Sequence, residues 1–179
     1  GVHTWFAVKP TDALEFAVYE VIGWRVRRGA PAVAISTRPA DGRWFDAIPE
    51  VIADVRGDGV DDMIKRIDQA ARGYPYMNEY TVWPGPNSNT FTAHVARAVP
   101  ELKLDLPPTA IGKDYLPGGS LVAKTPSGTG MQISLAGLLG IMVGKEEGVE
   151  INLLGLTFGL DPLDFAVKLP MAGRIGGSS

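Results

Sequence analysis

Downstream of Gly119 the chain breaks into short apolar runs separated by glycine, at 121–124, 131–136, 138–143, 149–154, 156–159 and 165–169. Runs this short make marginal helices, and the glycines between them supply the positive φ that tight turns need. They predict short strands joined by turns, and hence a β-rich last third. The whole chain carries 22 glycines and 14 prolines among 179 residues, so turns punctuate the rest of it as well.

The first part mixes two periods. Residues 3–9 alternate, with Thr4, Phe6 and Val8 on one side and His3, Trp5, Ala7 and Lys9 on the other, and Pro10 closes this strand. Residues 15–24 read as a second strand, with Val18, Glu20, Ile22 and Trp24 on one face. Residues 32–37 read as a third, stopped by Pro39. The patterns at 50–56 and 79–83 predict two more. The basic run Arg25 to Arg28 reads as a solvated strand edge. Val60, Ile64, Ile67 and Ala71 then keep helical spacing, with Gly73 just beyond. A second helix, capped by Asn87 or Ser88, carries Phe91, Val95, Ala98 and Val99 and ends before Pro100. Residues 102–119 are proline-rich and predict a loop crossing the surface. The expected fold is α+β: a mainly antiparallel sheet packed on two central helices, with the β-rich third integral to one domain of residues 1–179.

Composition excludes several functions. Hydrophobic residues are 45% and charged residues 21%, with a net charge of −3, which argues against nucleic acid as the partner. Without cysteine there is no thiolate nucleophile, and two histidines, His3 and His94, far apart in sequence build no metal site. No phosphate loop or dinucleotide fingerprint is present, so neither a metal nor a cofactor is expected. The longest apolar stretch, 135–144, is broken by Gly137 and Gly140 and is too short to span a bilayer. The chain starts at Gly1, so membrane attachment is expected only through a removed N-terminal segment. Residues 176–179 read as a flexible tail.

Chemistry concentrates at the second helix. The segment Pro84-Gly85-Pro86-Asn87-Ser88-Asn89-Thr90-Phe91 sets the Ser88 hydroxyl at a helix N-terminus, where free N–H groups and the helix dipole favour developing negative charge. Equally, Asn87 and Ser88 are ordinary helix caps. His3 is the candidate base, or else a surface histidine near a chain end. Glu20 interrupts an apolar face and needs a partner, either the His3 ring or one of Lys9, Arg25, Arg27 and Arg28. His94 follows Ser88 by six positions, a rotation of roughly 600°, so its side chain diverges and it reads as a packing residue. Trp5, Trp24, Trp44 and Trp83 read as core residues or as the lining of a groove. Asn87, Asn89, Trp5 and Trp83 are the candidate substrate contacts.

Ordered strings along the chain resemble a bacterial family, domain of unknown function 3750. They begin with His3-Thr4-Trp5-Phe6 running to Pro10, Tyr19-Glu20-Val21-Ile22-Gly23-Trp24, and Arg28-Gly29-Ala30-Pro31. They continue through Tyr74-Pro75-Tyr76, the block 83–94, the block 106–115, Thr125-Pro126-Ser127-Gly128 and Gly173-Arg174-Ile175-Gly176. The resemblance implies a bacterial envelope protein, periplasmic or anchored in the inner membrane by a hydrophobic segment ahead of this region. It implies no activity.

His3 followed by Asn87-Ser88-Asn89-Thr90-Phe91 also resembles circularly permuted papain-like (NlpC/P60-like) hydrolases and acyltransferases. There a strand histidine precedes a nucleophile at a helix N-terminus. That nucleophile is cysteine, whereas here Ser88 stands in its place. A hydroxyl is not ionised near neutral pH and needs a stronger base. This resemblance implies Ser88 as nucleophile, His3 as base, Glu20 as its orienter and the N–H groups after Ser88 as oxyanion donors. The expected partner is a small molecule, peptide or lipid with an amide or ester. A non-catalytic peptide- or glycan-binding module and a structural module stay open beside it.

Overall fold

The computed structural model describes residues 1–177. Two antiparallel sheets and three helices form an α+β fold. The first sheet holds β1 (Phe6–Val8), β2 (Ala17–Val21) and β3 (Val33–Thr37) in that spatial order. Its register pairs Phe6 with Tyr19 and Tyr19 with Ile35, and Glu20 sits opposite Ala34.

The helix α2 (Val60–Arg72) buries Met63, Ile67 and Ala71, one residue per turn on one stripe. Asp61 and Asp62 in its first turn and Arg72 in its last suit the helix dipole. The helix α3 (Ser88–Ala98) is buried almost all round, because α2, the first sheet and the following loop surround it. Val8, Tyr19, Val21, Ile67, Tyr74, Phe91 and Val95 close into one core between this sheet and the two helices.

Several expected elements fold differently. The alternation of the second strand ends at Val21, and Gly23–Arg27 winds into the short helix α1. The basic run therefore lies on and just beyond a helix rather than along a strand edge. Ile22 is extended and donates to Ala32 O, after which Arg25 N–H turns back onto Ile22 O. Residues 50–56 and 79–83 form no strand, since no neighbouring edge pairs with them. A strand pattern alone leaves backbone groups unpaired, and only a partner edge makes it a strand.

The second sheet is a seven-stranded meander in chain order: β4 (Val122–Lys124), β5 (Met131–Leu135), β6 (Leu139–Gly144), β7 (Gly148–Leu153), β8 (Leu156–Asp161), β9 (Ala166–Leu169) and β10 (Gly173–Gly176). β10 takes in Gly176 from the stretch read as a tail. Ser178 and Ser179 lie outside the described residues.

The face of this sheet that turns inward is polar. Lys113, from the preceding loop, pairs with Glu150 of β7. Lys168 of β9 reaches the same carboxylate at 2.8 Å and both Asp105 oxygens at 2.7 Å. Arg97 of α3 donates to Gln132 Oε1 at 2.6 Å, and Gln132 donates in turn to Asp114 at 2.5 Å. The two lysine charges are tolerated this deep because each meets carboxylates, whereas Arg97 is held by neutral acceptors, Gln132 Oε1 and the carbonyls of Lys113 and Lys124.

Candidate active site

Asn87 and its neighbours fix the first turn of α3. Asn87 Oδ1 accepts from the N–H groups of Asn89 (2.9 Å) and Thr90 (3.2 Å), while Thr90 Oγ1 accepts from Asn87 N–H at 3.1 Å. This is a reciprocal capping box. The Asn87 amide also donates to Val82 O and Ile111 O, and Thr90 Oγ1 donates to Gly112 O. Gly112 is required here. Its φ is +99°, and a Cβ would lie 2.3 Å from the Asn87 side-chain nitrogen.

The same turn holds the stretch carrying His3. Asn89 donates through Nδ2 to Val2 O at 3.0 Å and to Ile111 O at 2.8 Å. The Thr4 hydroxyl lies 2.9 Å from Asn89 Oδ1 and 2.8 Å from Thr92 Oγ1. Both chain neighbours of His3 are thus tied to the residue that follows Ser88. Asn87 and Asn89 are buried, and their amides are engaged by the protein itself.

His3 Nε2 donates to Glu20 Oε2 at 3.0 Å, and Arg38 holds the other Glu20 oxygen at 3.2 Å. Burial alone would push the Glu20 carboxyl up. The hydrogen bond from His3 and the charge of Arg38 outweigh it and hold the group below its ordinary value. With Nε2 committed to Glu20, Nδ1 is the ring nitrogen left to take a proton. The ring stacks on Trp44 at 3.9 Å between centroids, and Trp44 stacks on Trp24 of α1 at 5.5 Å. Arg38 also lies over Trp5.

His3, Trp5, Ser88 and Thr92 line one open cleft of about 1180 Å³. Its walls are largely apolar, with Val8 of β1, Met63 and Ile67 of α2, and Leu104 from the loop after α3. Residues 47–57 close one side. Among the described residues, no hydrogen bond joins His3 to Ser88, and none engages the Ser88 hydroxyl or its backbone N–H.

The oxyanion donors differ from those expected. The cap occupies the N–H groups of Asn89 and Thr90, and Phe91 N–H bonds Asn87 O. The unpaired donor of this turn is the N–H of Ser88 itself.

The tryptophans are not core residues. Trp5 and Trp44 are half-buried on the cleft, and Trp24 is 43% exposed at its mouth. Trp83 stands apart from the cleft and donates to Leu154 O at 2.9 Å. His94 donates to Ala70 O and meets Tyr74 edge-on, so it is a packing residue whose burial pushes its imidazole below the ordinary value.

Arg38 is the contributor that sequence reasoning missed. Its signal was weak, an isolated cation just past the end of β3 and before Pro39, and only the pairing of β2 with β3 brings it to Glu20.

The family model described as "Protein of unknown function (DUF3750)" matches residues 1–115, more than half of the chain. The chain belongs to the DUF3750 family. The match takes in the first sheet, all three helices, His3, Glu20 and Ser88, and it stops before the seven-stranded sheet of this DUF3750 member. No curated protein and no solved structure matches the chain. Among the described residues no helix is long and apolar enough to cross a membrane.

Proposed function

We propose that the protein is a serine-dependent hydrolase or acyltransferase acting on an ester or amide with an apolar acyl group. The observation that carries the reading is the tether of both neighbours of His3 to Asn89, beside Ser88, together with the His3–Glu20–Arg38 chain. In this reading Ser88 Oγ attacks the carbonyl carbon while its proton passes to His3 Nδ1. Glu20 keeps the ring oriented and offsets the charge of the imidazolium, and Arg38 keeps Glu20 ionised. The Ser88 N–H, aided by the dipole of α3, faces the oxyanion. The leaving amine or alcohol takes the proton from His3. Water or an acceptor hydroxyl then releases the acyl group by the same steps in reverse.

The apolar cleft supports an aliphatic acyl substrate, and the resemblance to permuted papain-like acyltransferases supports the chemistry. A place at the bacterial cell envelope is part of the proposal and rests on the family resemblance. Catalytic hydrogen bonds are often long before substrate binds, so an unpaired Ser88 hydroxyl is compatible with the reading. That same unpaired hydroxyl also favours a second reading, a binding module holding an apolar peptide or lipid in this cleft without turnover.

A fluorophosphonate probe separates the two. Covalent labelling of the wild type, lost in Ser88→Ala and strongly reduced in His3→Ala, is the expected result. A folded wild type that stays unlabelled while binding a fluorescent fatty acyl probe in the cleft would establish the second reading.

A further inference from the structure

The seven-stranded sheet is inverted relative to an ordinary soluble sheet. Its inward face carries Gln132, Glu150, Asn152 and Lys168, all nearly fully buried. Its outward face is apolar from end to end. The register places Val122, Ile133, Ile141, Ile151 and Phe158 in one unbroken row across five strands. A second row runs from Leu135 through Leu139 and Leu153 to Leu156, and a third from Met131 through Val143 and Val149 to Leu160. These side chains are 39% to 61% exposed. The one charge among the described strand positions of this face is Lys124, on the edge strand β4.

Strand spacing and rise give the face about 30 Å by 17 Å, roughly 500 Å² in projection. The accessible area of its ridged side chains is larger than that projection. Patches on monomers reach about 300–600 Å², and a stable interface covers about 800 Å² on each partner. The projection alone lies within the monomer range, and it is the lack of charge and the aliphatic composition across all seven strands that match a homodimer core rather than a monomer surface. A lipid leaflet fits less well. The face carries no Trp or Tyr to sit at a membrane boundary, and a net charge of −3 offers no attraction to anionic headgroups.

We infer that this face is the interface of a homodimer in which two copies stack their seven-stranded sheets face to face. Two sheets packed this way lie about 10 Å apart with strands crossing near 30°. A two-fold axis brings the same patch of both copies together. β7 is the middle strand of the seven, and Ile151 is the middle residue of the outward row on it. The axis therefore passes near Ile151, and the two copies of that residue meet.

Sedimentation velocity on the chain at tens of micromolar tests the inference. The wild type is expected at twice the chain mass, and Ile151→Glu at the chain mass with unchanged circular dichroism. An equimolar mixture of Ile151→Glu and Ile151→Lys chains should recover the dimer, because opposite charges then face each other at the axis. Should the charged variants fail to fold, Ile141→Thr with Ile151→Thr, which keeps branching at Cβ, should still weaken dimerisation at least tenfold. Leu14→Glu, exposed and off the sheet, should leave the dimer intact. A monomeric wild type would overturn the inference, as would a dimer that survives both sets of variants. A monomer that floats with phosphatidylcholine vesicles through Ile151 would overturn it in favour of lipid.

Discussion

Glu20 shows how one residue links stability to chemistry. It sits on β2 among apolar neighbours and is held by His3 on one oxygen and Arg38 on the other. Its folded pKa lies below the ordinary 4.5, so its contribution to stability is present above that value and is lost as pH falls through the lower folded value. Glu20→Gln keeps the shape and removes the charge. It is expected to cost about 1.5–3 kcal/mol at pH 7, the scale of hydrogen bonds to a charged group. Urea unfolding of the two proteins should converge well below pH 4.5. A variant equally destabilised at every pH would show that shape, not charge, matters at this position. Glu20 was legible in the sequence because a carboxylate on an apolar strand face calls for a partner. Arg38 was not, since only strand pairing brings it to the site, and Trp44 was legible as a groove or core residue but not as the ring that stacks on His3.

At the scale of elements, the two long helices were readable because each carries its own evidence. α2 has an apolar stripe with acidic residues at its start, and α3 has Asn87 before a buried run. The strands depended on partners that local pattern does not reveal. β10 has two glycines in four residues and exists because β9 offers an edge. Residues 50–56 have the apolar content of a strand, find no such edge, and instead wall the cleft. Short apolar runs between glycines identified the strands of the C-terminal third but left open which face turns inward. Asn87 tests how far the cap of α3 organises the site. Asn87→Ala removes the cap and the amide bonds to Val82 O and Ile111 O, and should destabilise by about 2–3 kcal/mol, of which about 1 is the cap. Asn87→Ser keeps a capping acceptor for the first turn without setting an oxygen against the Val82 and Ile111 carbonyls, and should recover the cap share, as read by urea midpoints at constant slope. If Ser recovered nothing, the amide bonds to the loop would be the stronger tie.

At the scale of the whole molecule, the ion network on the inner face of the seven-stranded sheet joins the two parts of the fold. Lys113 and Asp105 come from the loop that follows α3, and Glu150 and Lys168 from the sheet. Burial works against the Lys113 charge, but the Glu150 and Asp114 carboxylates beside it outweigh burial and raise its pKa above the ordinary range. The contribution of the Lys113 charge is therefore fully present below the ordinary lysine value of 10.5 and is lost as pH rises through the higher folded value. Removing one member of a buried pair strands the other, at a typical cost of about 3–5 kcal/mol. Lys113→Met leaves Glu150 with Lys168 alone and should lower stability by about 3 kcal/mol, the low end of that range, whereas Lys65→Met, which breaks an exposed pair with Asp62, should change it by less than about 0.5 kcal/mol. We propose on this basis that residues 1–179 form one cooperative domain. Scanning calorimetry should then show a single transition in the wild type, shifted as a whole in Lys113→Met. Two separate transitions, with only the one belonging to the sheet moved by the substitution, would show that the sheet folds independently of the helices and that the network only docks it.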